Sequence, residues 1–200
     1  MLVQPTKTHV AGPPVKTRRI AVAPSMGPRF VSVSPARASL DDDIDAELKG
    51  LTTGAAFTLV HEPEDPAGPD WAMTVLTGAP PGHVRLHLPD GRITPGLRQL
   101  DVSASDSGLP IGRDSIGITV VPAVTGPATP LAKGVPVILQ TVHAAADVEV
   151  FLRGRSLAQV TFISPTQVRV TIPPATTSGP AEILLRAGKV AGPTRNVTVA

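Results

Sequence analysis

The most regular pattern in this chain is an alternation of apolar and polar residues over short segments. It runs through Val168-Arg-Val-Thr-Ile172 and through His83-Val-Arg-Leu-His-Leu88. A period of two residues predicts a β-strand with one face towards a core and the other towards solvent. We therefore expect Arg169 to face solvent, and we expect these side chains to be buried: Val84, Leu86, Leu88, Val168, Val170 and Ile172.

Short apolar segments recur at intervals of about ten residues, each bounded by Gly, Pro or Asp, which is typical of antiparallel β-sandwiches. In the first half of the chain the predicted strands are Ala55–Val60, Met73–Leu76, His83–Leu88, Leu97–Val102 and Ile116–Val121. In the second half they are Val135–Val142, Asp147–Leu152, Gln159–Ile163, Val168–Ile172, Glu182–Arg186 and Asn196–Val199. One helical turn is predicted at Asp41–Lys49, where Ser39 could serve as the N-cap and the acidic residues favour the N-terminus.

The chain also repeats itself. The segment Pro81–Pro89 recurs as Pro165–Pro173 and Lys49-Gly50 recurs as Lys133-Gly134, both 84 residues later. With small shifts of register, Pro95–Ser103 is answered by Ser178–Arg186, and Arg113–Val120 by Thr194–Val199. A fixed internal period indicates two copies of one module. We predict an all-β chain with two tandem sandwiches, residues 41–122 and 123–200, after an N-terminal arm.

Composition limits the chemistry of these modules. The 200 residues include 23 Pro, 18 Gly, four Phe, one Trp, no Tyr and no Cys. Small cores must therefore be built from Val, Leu, Ile and Ala, with Trp71 expected to anchor the first, and no disulfide or thiolate is available. No apolar segment has the length of a signal peptide or a membrane span, so the sequence predicts a soluble protein made in the cytoplasm.

Residues 1–40 differ from the rest of the chain. They contain six basic residues and no acidic residue, and prolines interrupt them throughout. Such a segment is expected to be extended and mobile when alone, because it has too little apolar surface to fold. Two short apolar stretches within it, Ile20–Ala23 and Phe30–Val33, could pair as edge strands with another surface.

The second module carries residues that resemble a known family. Its segments Val160-Thr-Phe162, Val168-Arg-Val-Thr-Ile-Pro173, Gly179-Pro-Ala-Glu-Ile183 and Arg195-Asn196-Val-Thr-Val199 resemble the IPT/TIG immunoglobulin-like domains. In the first module Ser115 stands in the place of the Asn, and the Pro-rich segment Glu62–Pro69 widens one loop. Two such modules in tandem are also similar to the C-terminal region of cap proteins from extracellular contractile injection systems, the phage-tail-like particles. That resemblance implies a structural role and release as part of a particle.

Candidate chemistry is sparse. His83, Arg85 and His87 would share the solvent face of one strand, where a metal pair is conceivable but an exposed polar face is the favoured interpretation. The alternation of Asp41, Asp43, Asp45 and Glu47 suggests a calcium loop but lacks its glycine and its final glutamate, so a solvated helix start is preferred. No nucleophile elbow, P-loop or dinucleotide fingerprint occurs. We expect no catalytic residue, no metal, no cofactor and no small-molecule substrate.

The arm supplies the candidate partner-binding residues: Lys16, Arg18, Arg19, Arg29 and Phe30. Its charge would suit nucleic acid or an acidic membrane, but a single aromatic residue offers little for base stacking. An acidic groove or open sheet edge on a protein partner fits the arm better, and solvated disorder is the other interpretation. The sequence thus predicts a non-enzymatic structural or docking subunit within a multi-subunit assembly. A cell-surface or polysaccharide-binding module is the alternative, although Trp71 would be its only candidate stacking platform.

Overall fold

A computed structural model describes residues 27–40, 42–51, 54–60, 70–106 and 109–200, leaving out the side chains of 105–111. The described residues form strands and turns and contain no helix, as predicted for an all-β chain. The eighteen strands divide into two sets of nine. Each set closes into a sandwich of two sheets around its own apolar core.

Sandwich 1 is built from nine strands. One sheet has the order β1-β3-β7-β6 and the other the order β2-β9-β8-β4-β5. All neighbours are antiparallel except β2, which pairs in parallel with the end of β9. The strands are β1 Arg29–Ser34, β2 Arg37–Ala38, β3 Ile44–Lys49, β4 Ala56–Leu59, β5 Trp71–Ala72, β6 Thr74–Leu76, β7 His83–His87, β8 Gly96–Asp106 and β9 Leu109–Val120.

Sandwich 2 repeats this arrangement. Its first sheet has the order β10-β11-β15-β14, and in its second sheet β13, β12 and β16 lie side by side, with both β17 and β18 paired to β16. The strands are β10 Ala123–Gly126, β11 Pro136–Val142, β12 Val148–Leu152, β13 Arg155–Ser156, β14 Val160–Ser164, β15 Gln167–Thr171, β16 Gly179–Ala187, β17 Val190–Ala191 and β18 Arg195–Val199. In each unit a four-stranded sheet packs face to face on a five-stranded sheet. This strand order makes each unit an immunoglobulin-like sandwich.

The internal repeat is visible in this topology. Strands β7 and β15, 84 residues apart in sequence, occupy the same place in their sheets, as do β8 and β16. The Lys-Gly repeat does not correspond in the same way. Lys49 ends β3, whereas Lys133 lies before β11, the equivalent strand of sandwich 2. That match in the sequence is therefore coincidental, and the longer matches define the duplication.

The predicted register of both alternating strands is confirmed. Leu86, Val168, Val170 and Ile172 are fully buried, and Val84 and Leu88 are nearly so. Arg169 lies on the exposed face. Trp71 is only half-buried, on the short edge strand β5, where it packs against the core of sandwich 1.

The predicted helical turn at Asp41–Lys49 is wrong. Ile44–Lys49 is strand β3, in which Ile44, Ala46 and Leu48 are buried while Asp45 and Glu47 face outwards. The segment contains good helix formers, but it also alternates with a period of two. Burial of three apolar side chains against the sandwich outweighs a weak intrinsic propensity.

The end of the predicted arm belongs to sandwich 1. Phe30–Val33 does form an edge strand, as the sequence suggested, but β1 pairs with β3 of its own module. Strand β2 then pairs with Thr119 and Val120 of β9. Residues 29–38 are therefore part of sandwich 1. This finding corrects the prediction that sandwich 1 begins at residue 41. The candidate strand Ile20–Ala23 lies outside the described residues.

Candidate functional site at the joint between the sandwiches

Of the predicted partner-binding residues, the structure describes Arg29 and Phe30. Lys16, Arg18 and Arg19 lie outside the described residues. Arg29 is exposed on β1, whereas Phe30 packs against the core of sandwich 1 and its backbone N–H donates to Asp114 Oδ2 at 2.8 Å. Phe30 thus has a structural role in its own module.

The histidines and acids singled out in sandwich 1 face each other across two strands. His83 Nδ1 donates to Asp45 Oδ1 at 2.9 Å, and both Arg85 and His87 contact the carboxylate of Asp43. Two of the carboxylates proposed for a calcium loop, Asp43 and Asp45, therefore pair with cationic or imidazole groups on the outer face of a sheet, Glu47 accepts from the hydroxyl of Ser32, and Asp41 lies outside the described residues. Within the described parts of the chain, no three His, Asp or Glu side chains gather as metal ligands would.

A more closely built site lies where the two sandwiches meet. We call it the joint; it consists of Leu40, Asp90–Ile93, Val121–Pro122, Val142–Ala144 and Ala191–Gly192. Here β9 ends at Val120 and β10 begins at Ala123, so only two residues link the modules. Arg37 of sandwich 1 donates from its guanidinium to the carbonyl O of Ala191 at 2.7 Å.

Two glycines allow this close approach. A Cβ on Gly192 would overlap the carbonyl O of Pro122 in the linker. A Cβ on Gly91 would lie 3.0 Å from Val142 Cγ1 and 3.5 Å from Leu40 Cδ2. The backbone at Gly192 packs directly on the linker, and the backbone at Gly91 packs on Val142 of the other module, so the joint is a tight contact and not a flexible linker.

His143 lies at the centre of the joint. It follows β11, has a left-handed backbone with φ of 54°, and is fully buried. Its N–H donates to Gly91 O at 2.5 Å, and its ring Nδ1 lies 2.9 Å from Ile93 O. A carbonyl oxygen can only accept, so Nδ1 carries the proton. Both hydrogen bonds cross from sandwich 2 to sandwich 1.

Burial controls the charge of this histidine. Loss of hydration lowers the pKa of His143 to about 4, although the hydrogen bond to Ile93 and the negative charge of Asp90 act in the opposite direction. A hydrogen bond from Arg92 lowers the pKa of Asp90, which keeps that carboxylate ionised. The imidazole is therefore neutral at pH 7, and its Nε2 has no hydrogen-bond partner among the described residues.

The sequence pattern did not single out His143, Gly91 or Gly192. The acceptor of the His143 ring is fifty residues away in the chain, on a loop whose position depends on the whole of sandwich 1. One signal was available. Val142-His-Ala144 places a histidine directly between small apolar residues, where a solvent-exposed loop would ordinarily be more polar.

A second concave region lies at the far end of sandwich 2, away from the joint. It is a hollow of about 540 Å³ beside the turn Arg153-Gly154, whose residues have φ of 50° and 74°. The guanidinium of Arg153 donates to the carbonyl O of Thr177 at 2.9 Å and of Pro180 at 2.8 Å. Arg153 thus holds two loops together. A second cationic residue, Arg155, also lines the hollow, and the other lining residues are aliphatic or hydroxylated: Leu152, Ser156, Leu157, Pro173, Ala175, Thr176 and Thr177.

No family model and no curated protein matches this chain. Among solved structures, SGBP-B of a Bacteroides ovatus mixed-linkage glucan utilization locus, in complex with a heptasaccharide, shares 14% identity over 88% of this chain and 46% of its own, with a TM-score of 0.35. The extracellular region of plexin A4 shares 10% sequence identity, over 94% of this chain and 20% of the plexin chain, with a TM-score of 0.38. A tetra-tandem repeat from the extending region of a large adhesion protein shares 17% sequence identity, over 87% of this chain and 50% of the repeat chain, with a TM-score of 0.29.

This chain spans half or less of each of those three chains. With TM-scores below 0.5, none of these similarities bears on what the chain does. The described residues include no helix long and apolar enough to cross a bilayer.

Proposed function

We propose that this chain is a non-enzymatic structural or docking subunit of a larger protein assembly, in which the two sandwiches act as one rigid body. The joint is the observation that supports this role. A two-residue linker, direct backbone packing at Gly192 and two buried hydrogen bonds at His143 hold the modules in one orientation. A fixed orientation suits a subunit that spaces or aligns its partners.

The polar groups of the described residues support a non-enzymatic role. His83 and His87 pair with carboxylates, His143 binds a carbonyl, and no hydroxyl group in the described part of the chain hydrogen-bonds to any of these three. Nucleophilic catalysis requires a base beside the nucleophile. The buried carboxylate of Asp101 accepts instead from Arg113 and Gln99, which is a cross-strand structural contact.

Membership of a contractile injection particle is the specific form of this proposal. It is supported by the residue-level resemblance of the tandem modules to the C-terminal region of the cap proteins. In that setting the basic N-terminal segment, with Lys16, Arg18 and Arg19, would dock on a protein partner. Arg29 lies near the start of sandwich 1, so its exposed side chain would extend the same basic surface.

Complementation of a deletion strain tests this proposal. The gene would be removed from the source organism, and particles would be imaged by electron microscopy after expression of the full chain, residues 27–200 or residues 39–200. We expect the full chain to restore assembly. Residues 27–200 should melt like the full chain but fail to be incorporated, because every described strand is retained and only the basic segment is lost.

Residues 39–200 serve as the folding control, since this version lacks β1 and β2 and should melt at a lower temperature. Normal particles in the deletion strain would refute membership of the particle. Incorporation of residues 27–200 at the level of the full chain would refute docking through the basic segment.

Polysaccharide binding is the second candidate, and the hollow at the end of sandwich 2 is the observation that favours it. The hollow has room for a sugar unit and presents Ser156 and Thr176, but no aromatic residue lines it. A glycan array with the full chain, repeated with Ser156→Trp, which would fill the hollow, tests this alternative. Binding lost in the variant would support it, and absence of binding by the full chain would refute it.

A further inference from the structure

His143 combines two properties that a merely structural histidine does not need. It is fully buried, and one of its ring nitrogens, Nε2, has no partner in the described part of the chain. The neutral ring leaves only one polar atom unsatisfied, since Nδ1–H binds Ile93 O and the lone pair of Nε2 alone has no partner among the described residues. A protonated ring would add a second N–H and a positive charge where no acceptor is positioned.

We propose that the joint is an acid-sensitive coupling: protonation of His143 releases the two sandwiches from their fixed orientation while each remains folded. The geometry supports release at the joint and not within a module. His143 belongs to sandwich 2, but both of its acceptors, Gly91 O and Ile93 O, belong to sandwich 1. Moving the ring into water therefore separates the modules and leaves the sheets of both sandwiches intact.

The charged groups around His143 do little to offset the effect of burial on its pKa. In the described structure Asp90 is the acidic group whose field reaches the ring, and it lies on the same loop as the two acceptors. Its carboxylate is already bound by Arg92 through Nε at 3.0 Å to each oxygen. On strand β11, which ends just before His143, the neighbour Thr141 is neutral, and its hydroxyl donates to Pro165 O at 3.2 Å. A proton on His143 thus gains little compensation inside the joint.

The size of the effect follows from linkage. The released ring titrates near 6.5, its ordinary value, whereas the pKa in the closed joint is about 4. Lowering the pH from above 6.5 to below 4 therefore raises the ratio of released to coupled molecules by roughly 300-fold. Nothing in this device depends on which assembly the chain joins.

Single-molecule energy transfer on the full chain tests the coupling directly. The chain has no cysteine. The exposed substitutions Ser103→Cys on sandwich 1 and Ala175→Cys at the far end of sandwich 2 would therefore place one dye on each module. We expect one narrow distance distribution at pH 7.5. The distribution should broaden as the pH falls from 6.5 to 4, with circular dichroism showing that the strands persist.

The variant His143→Asn removes the titration with little change in geometry. Asparagine tolerates the left-handed backbone and its amide can still donate to Ile93 O. This variant should show no broadening across the same pH range. The matched control is His87→Asn, which removes an exposed histidine of sandwich 1 and should respond to acid like the unmodified chain.

Ring NMR of the unmodified chain keeps the proposal falsifiable if the variant fails to fold. The His143 resonances should titrate together with the broadening. Titration of His143 without broadening, broadening while His143 remains neutral, or an equal acid response of His143→Asn would each overturn the proposal.

Discussion

The two sandwiches carry different surface chemistry on the same framework. In sandwich 1 the outer face of β3 and β7 sets Asp45 opposite Arg85, within a ladder of acidic, basic and imidazole side chains. At the equivalent position of sandwich 2, β11 and β15 set Ile138 opposite Arg169. Ile138 is 43% exposed, and no described carboxylate pairs with Arg169. The inward-facing residues define the fold, and the outward-facing residues are free to diverge.

Charged substitutions in the two cores should have the largest effects. Val170→Asp in sandwich 2 and Leu86→Asp in sandwich 1 each place an unpaired carboxylate at a site with 0% exposure. Each should lower the free energy of unfolding by about 3 kcal/mol or more. The controls are Arg169→Asp and Thr74→Asp on exposed positions, with changes within about 0.5 kcal/mol. Chemical denaturation measures both pairs.

The same experiment tests whether the modules are independent. Because the joint is tightly packed, Val170→Asp should lower the stability of sandwich 1 as well, and both modules should unfold in one transition at pH 7. Two separate transitions, with sandwich 1 unaffected, would contradict coupling through the joint.

The pH dependence of stability should be the next largest effect. The pKa of His143 is about 4 in the folded chain and near 6.5 when unfolded, so the unfolded chain binds more protons between these values. The contribution of His143 to the free energy of unfolding is therefore complete above pH 6.5 and is lost between pH 6.5 and 4, by about 3 kcal/mol in total, with no further loss below pH 4. Denaturation of the unmodified chain and of His143→Asn at intervals from pH 7.5 to 4 measures the difference. If the free energy of unfolding changed with pH equally in both chains, His143 would not be the source of the pH dependence.

Alternation explains why most of the fold was accessible from sequence. Residues such as Val168, Val170 and Ile172 must share one face in any strand, so their burial follows from local geometry. The helical turn predicted at Asp41–Lys49 is wrong because the capping and charge signals at its start are weaker than the burial of the alternating Ile44, Ala46 and Leu48. The charge and proline content around Phe30 gave no indication that β1 pairs with β3 over five residue pairs.

The joint could not be derived in the same way. His143 becomes buried only when Gly91 and Ile93 approach from another module, and the sequence contains no local sign of that approach. The same holds for Gly192. Only glycine fits there because a Cβ would collide with the carbonyl of Pro122, seventy positions earlier in the sequence. Contacts between modules depend on two complete folds and on their mutual orientation.

Substitution of the joint glycine should have an intermediate effect. Gly192→Ala places a methyl group against the carbonyl of Pro122, so the linker must shift, at a cost of about 1–3 kcal/mol. The matched control is Gly117→Ala in sandwich 1, where the new methyl group would meet only the mobile end of Leu97 at 3.3 Å. Thermal melting compares the two. Equal melting temperatures would mean that the linker carbonyl moves freely and that the joint is looser than its geometry indicates.

The smallest effect comes from transferring the surface chemistry of sandwich 1 to sandwich 2. Ile138→Asp would place a carboxylate opposite Arg169, as Asp45 lies opposite Arg85 in sandwich 1. A cross-strand ion pair contributes roughly 0.2–1 kcal/mol, and the exposed side chain of Ile138 has little burial to lose. A double-mutant cycle with Arg169→Ala isolates the pair, and its coupling should weaken at 1 M salt, where charges are screened within about 3 Å. A coupling of zero at low salt would show that the outer faces of the two sandwiches are not interchangeable, because some further feature of sandwich 1 orients its charged ladder.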